Sequence, residues 1–437
     1  MSEKHSIVIL PCSLKGQVRV PLSKSMLHRS LICAALAGSI SLSDMGNGTQ
    51  SDDISATKAC LTLMMDSVGQ ADGRLFYEKD AVRLPCRESG STLRFLVPIA
   101  AALGIPAYFS GEGRLPFRPL GAYTSLFPEK GIRMKYPGDG LYLPLRISGK
   151  LEPGLYRVPG NVSSQYISGL LMALPLLDGD SDIELTTELE SEPYVVMTLD
   201  VMRAFGVNVQ RSAEGYRIPG RQTYRRTEIF RSEPDFSQAA FWLTANYLGH
   251  NIEVADLPES SSQGDREIRT ILQKMSDISS EAPLSASSGS AADLPGERTL
   301  EIDASQIPDL VPILSVAAAA TPCTTRILHA ERLRLKECDR LAAAFELLTN
   351  LGVRAEQTSD GLVINGRRLI SGQPLFRSCS VSSFHDHRMV MAAAIAATKA
   401  DGPVRISDYR AVDKSYPEFF KDFRLAGGIA DELNVGK

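Results

Sequence analysis

Pro21-Leu22-Ser23-Lys24-Ser25-Met26-Leu27-His28-Arg29-Ser30 joins two patterns of different period. Ahead of it, Gly16-Gln17-Val18-Arg19-Val20 alternates and reads as a strand. Behind it, Leu31-Ile32-Cys33-Ala34-Ala35-Leu36-Ala37-Gly38 is an apolar helical run closed by a glycine. Lys24 and Ser25 therefore sit where a helix begins, beside free backbone N–H groups and the positive end of the helix dipole. Ser25 and Arg29 are four apart and share a helix face. An ammonium, a hydroxyl and a guanidinium converge on one point that attracts anions. Alone, such a stretch reads as a capped helix start among solvated charges; its recurrence along the chain raises it above that.

Small polar residues open apolar helical runs at Ser25, Ser91, Ser164, Ser237, Asp309 and Asp386, at intervals of 66 to 77 residues. Between them lies a second series of helical runs, Asp52 to Gly69, Pro119 to Gly131, Pro193 to Gly206, Asp265 to Ser276, Asp339 to Gly352 and Pro417 to Gly427. Most start with Asp or Pro and stop at Gly, as end-capping favours. Short alternating runs such as Tyr108-Phe109-Ser110, Ile183-Glu184-Leu185-Thr186 and Thr299-Leu300-Glu301-Ile302 separate the helices. The chain thus reads as α/β, with six units of βαβαββ type. So long a period is unusual for a solenoid and favours two compact groups of three. Asp277 to Arg298, rich in Ser and Ala, reads as a hairpin or loop tip. The alternating charges from Ala330 to Arg340 read as a solvated face.

Of the 437 residues, 43% are hydrophobic, enough for a substantial core and two or three domains. A net charge of −4 gives no global attraction for nucleic acid or an anionic membrane, so any anion site has to be a local cluster of Lys and Arg. The seven cysteines form no C-x-x-C pair, and Cys33 and Cys60 read as small buried hydrophobes; a reducing, cytoplasmic compartment is expected. No cleavable leader and no membrane-length apolar run is read from the chain. His385 and His387 lack a third metal-ligand type nearby, so no metal is expected.

Ten short elements, in one order, resemble the enolpyruvyl transferase family. They are Leu22-Ser23-Lys24-Ser25 with Arg29, Ser89-Gly90-Ser91 with Arg94, Gly111-Glu112-Gly113-Arg114 with Arg118-Pro119, Gly160 to Gln165, and Ser191-Glu192-Pro193-Tyr194. Gln263-Gly264-Asp265, Ile307-Pro308-Asp309, Lys336 to Arg340, Asp386-His387-Arg388-Met389 and Asp413 to Pro417 complete the set. The resemblance spans nearly the whole chain. It implies a two-domain inside-out α/β barrel with three βαβαββ repeats per domain, one domain formed by 1–22 plus 235–437 and the other by 23–234, and the active site in the cleft between them. The implied reaction joins the 5-hydroxyl of shikimate 3-phosphate to phosphoenolpyruvate and releases phosphate, on the route to chorismate and the aromatic amino acids. It implies no cofactor, no nucleic-acid or membrane partner, and a monomer.

Carried over position by position, the resemblance puts Lys24, Ser25, Arg29, Ser163, Ser164, Gln165, Ser191, Tyr194, Asp309 and Lys336 around shikimate 3-phosphate. Lys24, Gly90, Arg94, Arg114, Gln165, Arg340, Arg388 and Lys414 would hold phosphoenolpyruvate. Asp309 would accept the hydroxyl proton, with Glu337 and Lys24 as candidates for proton traffic at the methylene carbon. The residue types suit these tasks: a planar guanidinium matches carboxylate and phosphate, and a glycine admits a phosphate close to the backbone. The resemblance also implies inhibition by glyphosate at the phosphoenolpyruvate site. The chain departs from the usual family pattern at Glu88, Ser89 and Ser91, at Phe95, at Arg332 and at Tyr416, none of which removes a charge that the reaction needs. A sister enzyme acting on UDP-N-acetylglucosamine usually has a cysteine in the loop corresponding to 111–118; none is present here. A non-catalytic binding protein would be expected to have lost the acid–base groups, and Lys24, Asp309 and Glu337 are all retained.

Overall fold

The computed structural model describes residues 5–38, 50–69, 81–225, 232–281 and 298–433. Val82–Pro85 and Ala107–Ser110 run parallel, a pairing that needs a crossover, and the Gly90–Leu103 helix supplies it. Leu145–Ser148 then joins antiparallel and Arg133–Lys135 closes the edge. The same strand order recurs in Gly154–Val158, Ser181–Leu185, Gly215–Ile218 and Gln210–Arg211. It recurs again in Thr299–Asp303, Thr324–Leu328, Leu362–Asn365 and Arg354–Gln357. In a fourth sheet Cys379–Ser382 and Val404–Ser407 are parallel, and the antiparallel neighbour is Ser6–Leu10, from the other end of the sequence, with Ile429–Leu433 at the edge. Lys15–Val18 pairs in parallel with Asn251–Val254.

These elements form two compact units, Leu22–Glu233 and a discontinuous one made of Met1–Pro21 and Pro234–Lys437. Each has its own core of buried apolar side chains. The crossover helices are mostly apolar and buried all round: every residue of Val311–Ala319 and of His387–Ala397 is buried, as is each from Thr92 to Ala102. Helices of that kind belong inside a core. The second series is amphipathic; Ile268–Glu281 buries Ile268, Ile271, Leu272 and Met275, one stripe at helical spacing.

Several expected boundaries move. The strand expected over 16–20 is Lys15–Val18, limited by its pairing with Asn251–Val254. The helices expected to open at Ser91 and Ser237 start one residue earlier, because Ser89 and Asp235 are the residues whose side chains cap them. Asp309 is not the N-cap residue of a helix: it lies in a 3-10 turn, Pro308–Leu310, ahead of the Val311–Ala319 helix. The run from Pro119 to Gly131 is a short helix, Gly121–Leu126, and a 3-10 turn, Pro128–Lys130. The expected loop from Asp277 begins instead as helix through Glu281, and 282–297 lie outside the described residues.

Candidate active site

In the unit Leu22–Glu233, the Lys24–Leu36 helix presents Lys24, Ser25 and Arg29 as its periodicity requires. Lys24 Nζ meets Asp53 at 2.7 Å, from the first turn of the Asp52–Gly69 helix. Arg29 is buried and bonded to neutral oxygens: Nε donates to Thr198 Oγ1 at 2.6 Å, Nη1 to the Ser25 carbonyl at 2.7 Å, and Nη2 to the Tyr194 carbonyl at 2.9 Å and Ser168 Oγ at 3.3 Å. It therefore ties three helices together beneath Ser25 and Tyr194. Burial pulls its pKa down to about 10, only partly opposed by Tyr194 and Cys33.

Two helix starts meet through one amide. Ser163 caps the Ser164–Ala173 helix by accepting from the Gln165 N–H, and the Gln165 side chain donates to Ser91 Oγ at 2.9 Å and accepts from Arg94 Nη1 at 2.9 Å. Arg94 Nη2 donates to the Pro119 carbonyl at 3.1 Å, and its guanidinium lies 5.5 Å from the Tyr166 ring centre. Its buried Nε has no hydrogen-bond partner. Ser191 holds a left-handed backbone at φ 54°, just before the Glu192–Ala204 helix that carries Tyr194. A non-glycine residue keeps such a conformation, at a cost of about 1 kcal/mol or more, only where its surroundings dictate it, and these places gather at functional sites.

In the discontinuous unit, three elements bring positive charge to Asp309. Arg340 Nη1 donates to Asp309 Oδ1 at 2.8 Å, Arg388 Nη2 to Oδ2 at 2.9 Å, and Lys336 Nζ lies 3.6 Å from Oδ1. Arg340 also donates to Glu337 at 2.8 Å and to Asp386 at 2.7 Å. Asp386 is fully buried and caps the His387–Ala397 helix through the Arg388 N–H. Burial opposes the Arg340 charge, but Asp386, Glu337 and Asp309 outweigh it and push its pKa well up. Lys336 is lowered to about 8, chiefly by burial, with Asp309 opposing and Arg340 adding to the fall. Lys414 Nζ donates to the His385 carbonyl at 2.6 Å.

Two further groups, quoted in the sequence motifs but given no role there, are buried in the structure. Asp265 is buried, accepts from the Ser237 hydroxyl, and is raised to about 7 by burial and by Asp309. The motif around it is structural at Gln263, whose side chain bonds the Phe236 N–H and the Pro234 carbonyl. The second is Arg118. Arg114, chosen for phosphoenolpyruvate, is exposed ahead of the Leu115–Phe117 turn, whereas buried Arg118 packs its guanidinium on Gly90. A Cβ on Gly90 would lie 2.7 Å from Arg118 Nη1. The alternating charges before Arg340 are not a solvated face throughout, since Arg332 and Arg340 are both buried. Among the described residues no group of three His, Cys, Asp or Glu is placed to hold a metal ion, and no helix is long and apolar enough to cross a membrane.

A sequence profile described as EPSP synthase (3-phosphoshikimate 1-carboxyvinyltransferase) matches residues 10–423. The chain belongs to the EPSP synthase family. Among its relatives, a 3-phosphoshikimate 1-carboxyvinyltransferase of Clostridium acetobutylicum is 42% identical over 99% of this chain and 100% of its own length. One from Clostridioides difficile is 42% identical with 99% of this chain covered. The fold is similar to that of an EPSP synthase from Acinetobacter baumannii, with a TM-score of 0.72 at 23% identity, covering 98% of this chain and all of that one. It is also similar to the enolpyruvyl transferase NikO from Streptomyces tendae, with a TM-score of 0.68 at 16% identity over 99% of this chain and all of that one. As an EPSP synthase family enzyme, the protein transfers an enolpyruvyl group in the shikimate pathway.

Proposed function

We propose that the acceptor is shikimate 3-phosphate, the donor phosphoenolpyruvate, and that the residues named above divide the work between the two units. Asp309 takes the proton of the 5-hydroxyl as its oxygen bonds to the central carbon of phosphoenolpyruvate. The methylene carbon gains a proton from Lys24 or Glu337. The carbon–oxygen bond to phosphate then breaks, inorganic phosphate leaves, and the new methyl group returns a proton to restore the double bond. What carries this reading is the Asp309 carboxylate bracketed by Arg340 and Arg388 with Lys336 at 3.6 Å. Two guanidinium groups hold an acid in place but also draw on the electron pair that a base must use. The carboxylate of phosphoenolpyruvate offers both arginines another acceptor, which releases an Asp309 oxygen for the hydroxyl proton.

In this proposal Lys24, Ser25, Ser163, Ser164, Gln165, Ser191 and Tyr194 surround the phosphorylated ring, and Arg29 sets Ser25 and Tyr194 from below. Gly90 and Arg118 hold the donor phosphate together with Lys24, Arg94 and Lys414. The proposal includes the inside-out barrel layout, three repeats to each group, with domain limits at 1–22 plus 235–437 and 23–234; the all-buried crossover helices support it. A coupled phosphate-release assay tests the acceptor. Purified protein with phosphoenolpyruvate should release phosphate with shikimate 3-phosphate. Equal or faster release with UDP-N-acetylglucosamine refutes the choice.

A further inference from the structure

A buried chain of side chains runs from His28 to the helix start at Gly90. His28 Nδ1 lies 2.8 Å from Thr57 Oγ1, Thr57 Oγ1 lies 2.6 Å from Thr92 Oγ1, and the Thr92 hydroxyl donates to Ser89 Oγ at 2.7 Å. None of the four is more than 1% exposed. A hydroxyl has one proton to give. Thr92 gives its proton to Ser89, so Thr57 gives its own to Thr92, and the Thr57 oxygen is left to accept from His28. The imidazole must then carry its proton on Nδ1.

The other ring nitrogen confirms the order. His28 Nε2 is buried with no hydrogen-bond partner. A proton there would leave an orphan N–H, and a second proton on the ring would add a charge beside Lys24, one turn back, and Arg29, the next residue. Burial first, then those two cations, hold the ring's pKa well below its ordinary value. Phe95, on the helix that Ser89 caps, meets the imidazole edge-on at 6.4 Å. Ser89 accepts from both the hydroxyl and the backbone N–H of Thr92. The cap that sets the backbone at Gly90 is thus the end of a proton order that begins at His28.

We propose that His28, as the neutral Nδ1–H tautomer, is a positioning residue for the donor phosphate: through Thr57 and Thr92 it fixes the Ser89 cap and so the backbone that meets phosphate at Gly90. This rests on the reading that Gly90 lines the phosphoenolpyruvate site, and the experiment separates the two. In steady-state kinetics of the full chain, His28→Leu should raise KM for phosphoenolpyruvate about tenfold, the scale of one lost buried hydrogen bond, and leave KM for shikimate 3-phosphate unchanged. His28→Asn, whose amide nitrogen reaches the Nδ1 position, should restore it. Thr57→Val keeps the shape and breaks the chain at its middle; it should match His28→Leu, and the double variant should be no worse than either. A purely structural His28 would lower the thermal midpoint and move both KM values together, and that outcome overturns the proposal. So does an unchanged KM for phosphoenolpyruvate in His28→Leu and Thr57→Val while Gly90→Ala raises it. If Gly90→Ala itself leaves that KM unchanged, the phosphate placement fails first, and the role of His28 with it.

Discussion

The two arginine clusters of this protein are built on opposite plans. Arg340 is surrounded by acids, and its three nitrogens each meet a different carboxylate. Arg29 and Arg94 rest on carbonyls, hydroxyls and an amide. The first plan cancels charge, which is why Asp386, Glu337 and Asp309 push Arg340 well up against its burial. The second leaves charge uncancelled at a buried place, which is why burial draws Arg29 down to about 10. A guanidinium stays protonated in either setting. The Arg29 and Arg94 side therefore carries a standing positive field suited to phosphates, tempered at Lys24 by Asp53. The Arg340 side holds at set positions the acids proposed for proton transfer.

The largest effect expected from this contrast is on stability. Arg340→Met leaves the fully buried Asp386 facing no cation at that position, and breaking a buried pair from one side costs about 3–5 kcal/mol. Arg29→Met leaves only neutral hydroxyls and carbonyls, a loss of about 1–2 kcal/mol. Urea unfolding measures both. Equal losses would mean that the acids around Arg340 do not compensate it.

The next effect is on turnover. Asp309→Asn and Glu337→Gln keep the size of each side chain and its contact with Arg340, and remove its basicity. Each should lower kcat by about 10²-fold or more, the range for lost general acid–base help, while KM for either substrate changes little. Arg94→Gln, on the other side, should act mainly on KM for phosphoenolpyruvate. A variant of Asp309 that retains its kcat removes that residue from the mechanism.

What could be read from the residues alone divides along the range of the interactions. Helix starts were legible because capping and 3.6-residue periodicity are local; Ser163, Asp235, Asp339 and Asp386 all cap the helices that follow them. The order of the strands was less so, since Ser6–Leu10 completes a sheet whose other strands come from the far end of the chain. The burial of Arg340 was hidden inside an alternating charged run, because its partners are 46 and 31 residues away. The choice between Arg114 and Arg118 had no local signal at all. A three-residue turn, Leu115–Phe117, decides which of the two faces inward.

A third test uses the carboxyl that the acid-rich side holds above its ordinary range. Asp265 is raised to about 7 by burial and by Asp309, so its folded value lies above the unfolded one. Its contribution to stability is full below the unfolded value near 4 and is lost as pH rises through about 7. Asp265→Asn has no such loss. From pH 6 to pH 8 the variant should therefore gain on the native protein by about 1.4 kcal/mol. A difference that stays flat over this window would mean that Asp265 is already ionised, and that the acids near Asp309 share less proton than the geometry requires.

The smallest expected effect sharpens the other side. Gly90 begins the Gly90–Leu103 helix, and an added methyl there would come within 2.7 Å of Arg118 Nη1 and 2.9 Å of its Cζ. These atoms end a flexible side chain, so the guanidinium can move aside, and Gly90→Ala should cost well under about 1 kcal/mol of stability. Binding is more sensitive, because the displaced group is the one proposed to meet the donor phosphate. KM for phosphoenolpyruvate should rise about fivefold, the equivalent of about 1 kcal/mol. Glyphosate, as the longer ligand, should lose more than the substrate does. Arg118→Lys should mimic the first effect, since an ammonium cannot offer a fork of donors, while Arg114→Lys, at an exposed position, should change neither constant. If Arg114→Lys raises KM and Arg118→Lys does not, then the inward-facing arginine serves packing at the helix start, and the donor phosphate lies on the exposed side of the Leu115–Phe117 turn.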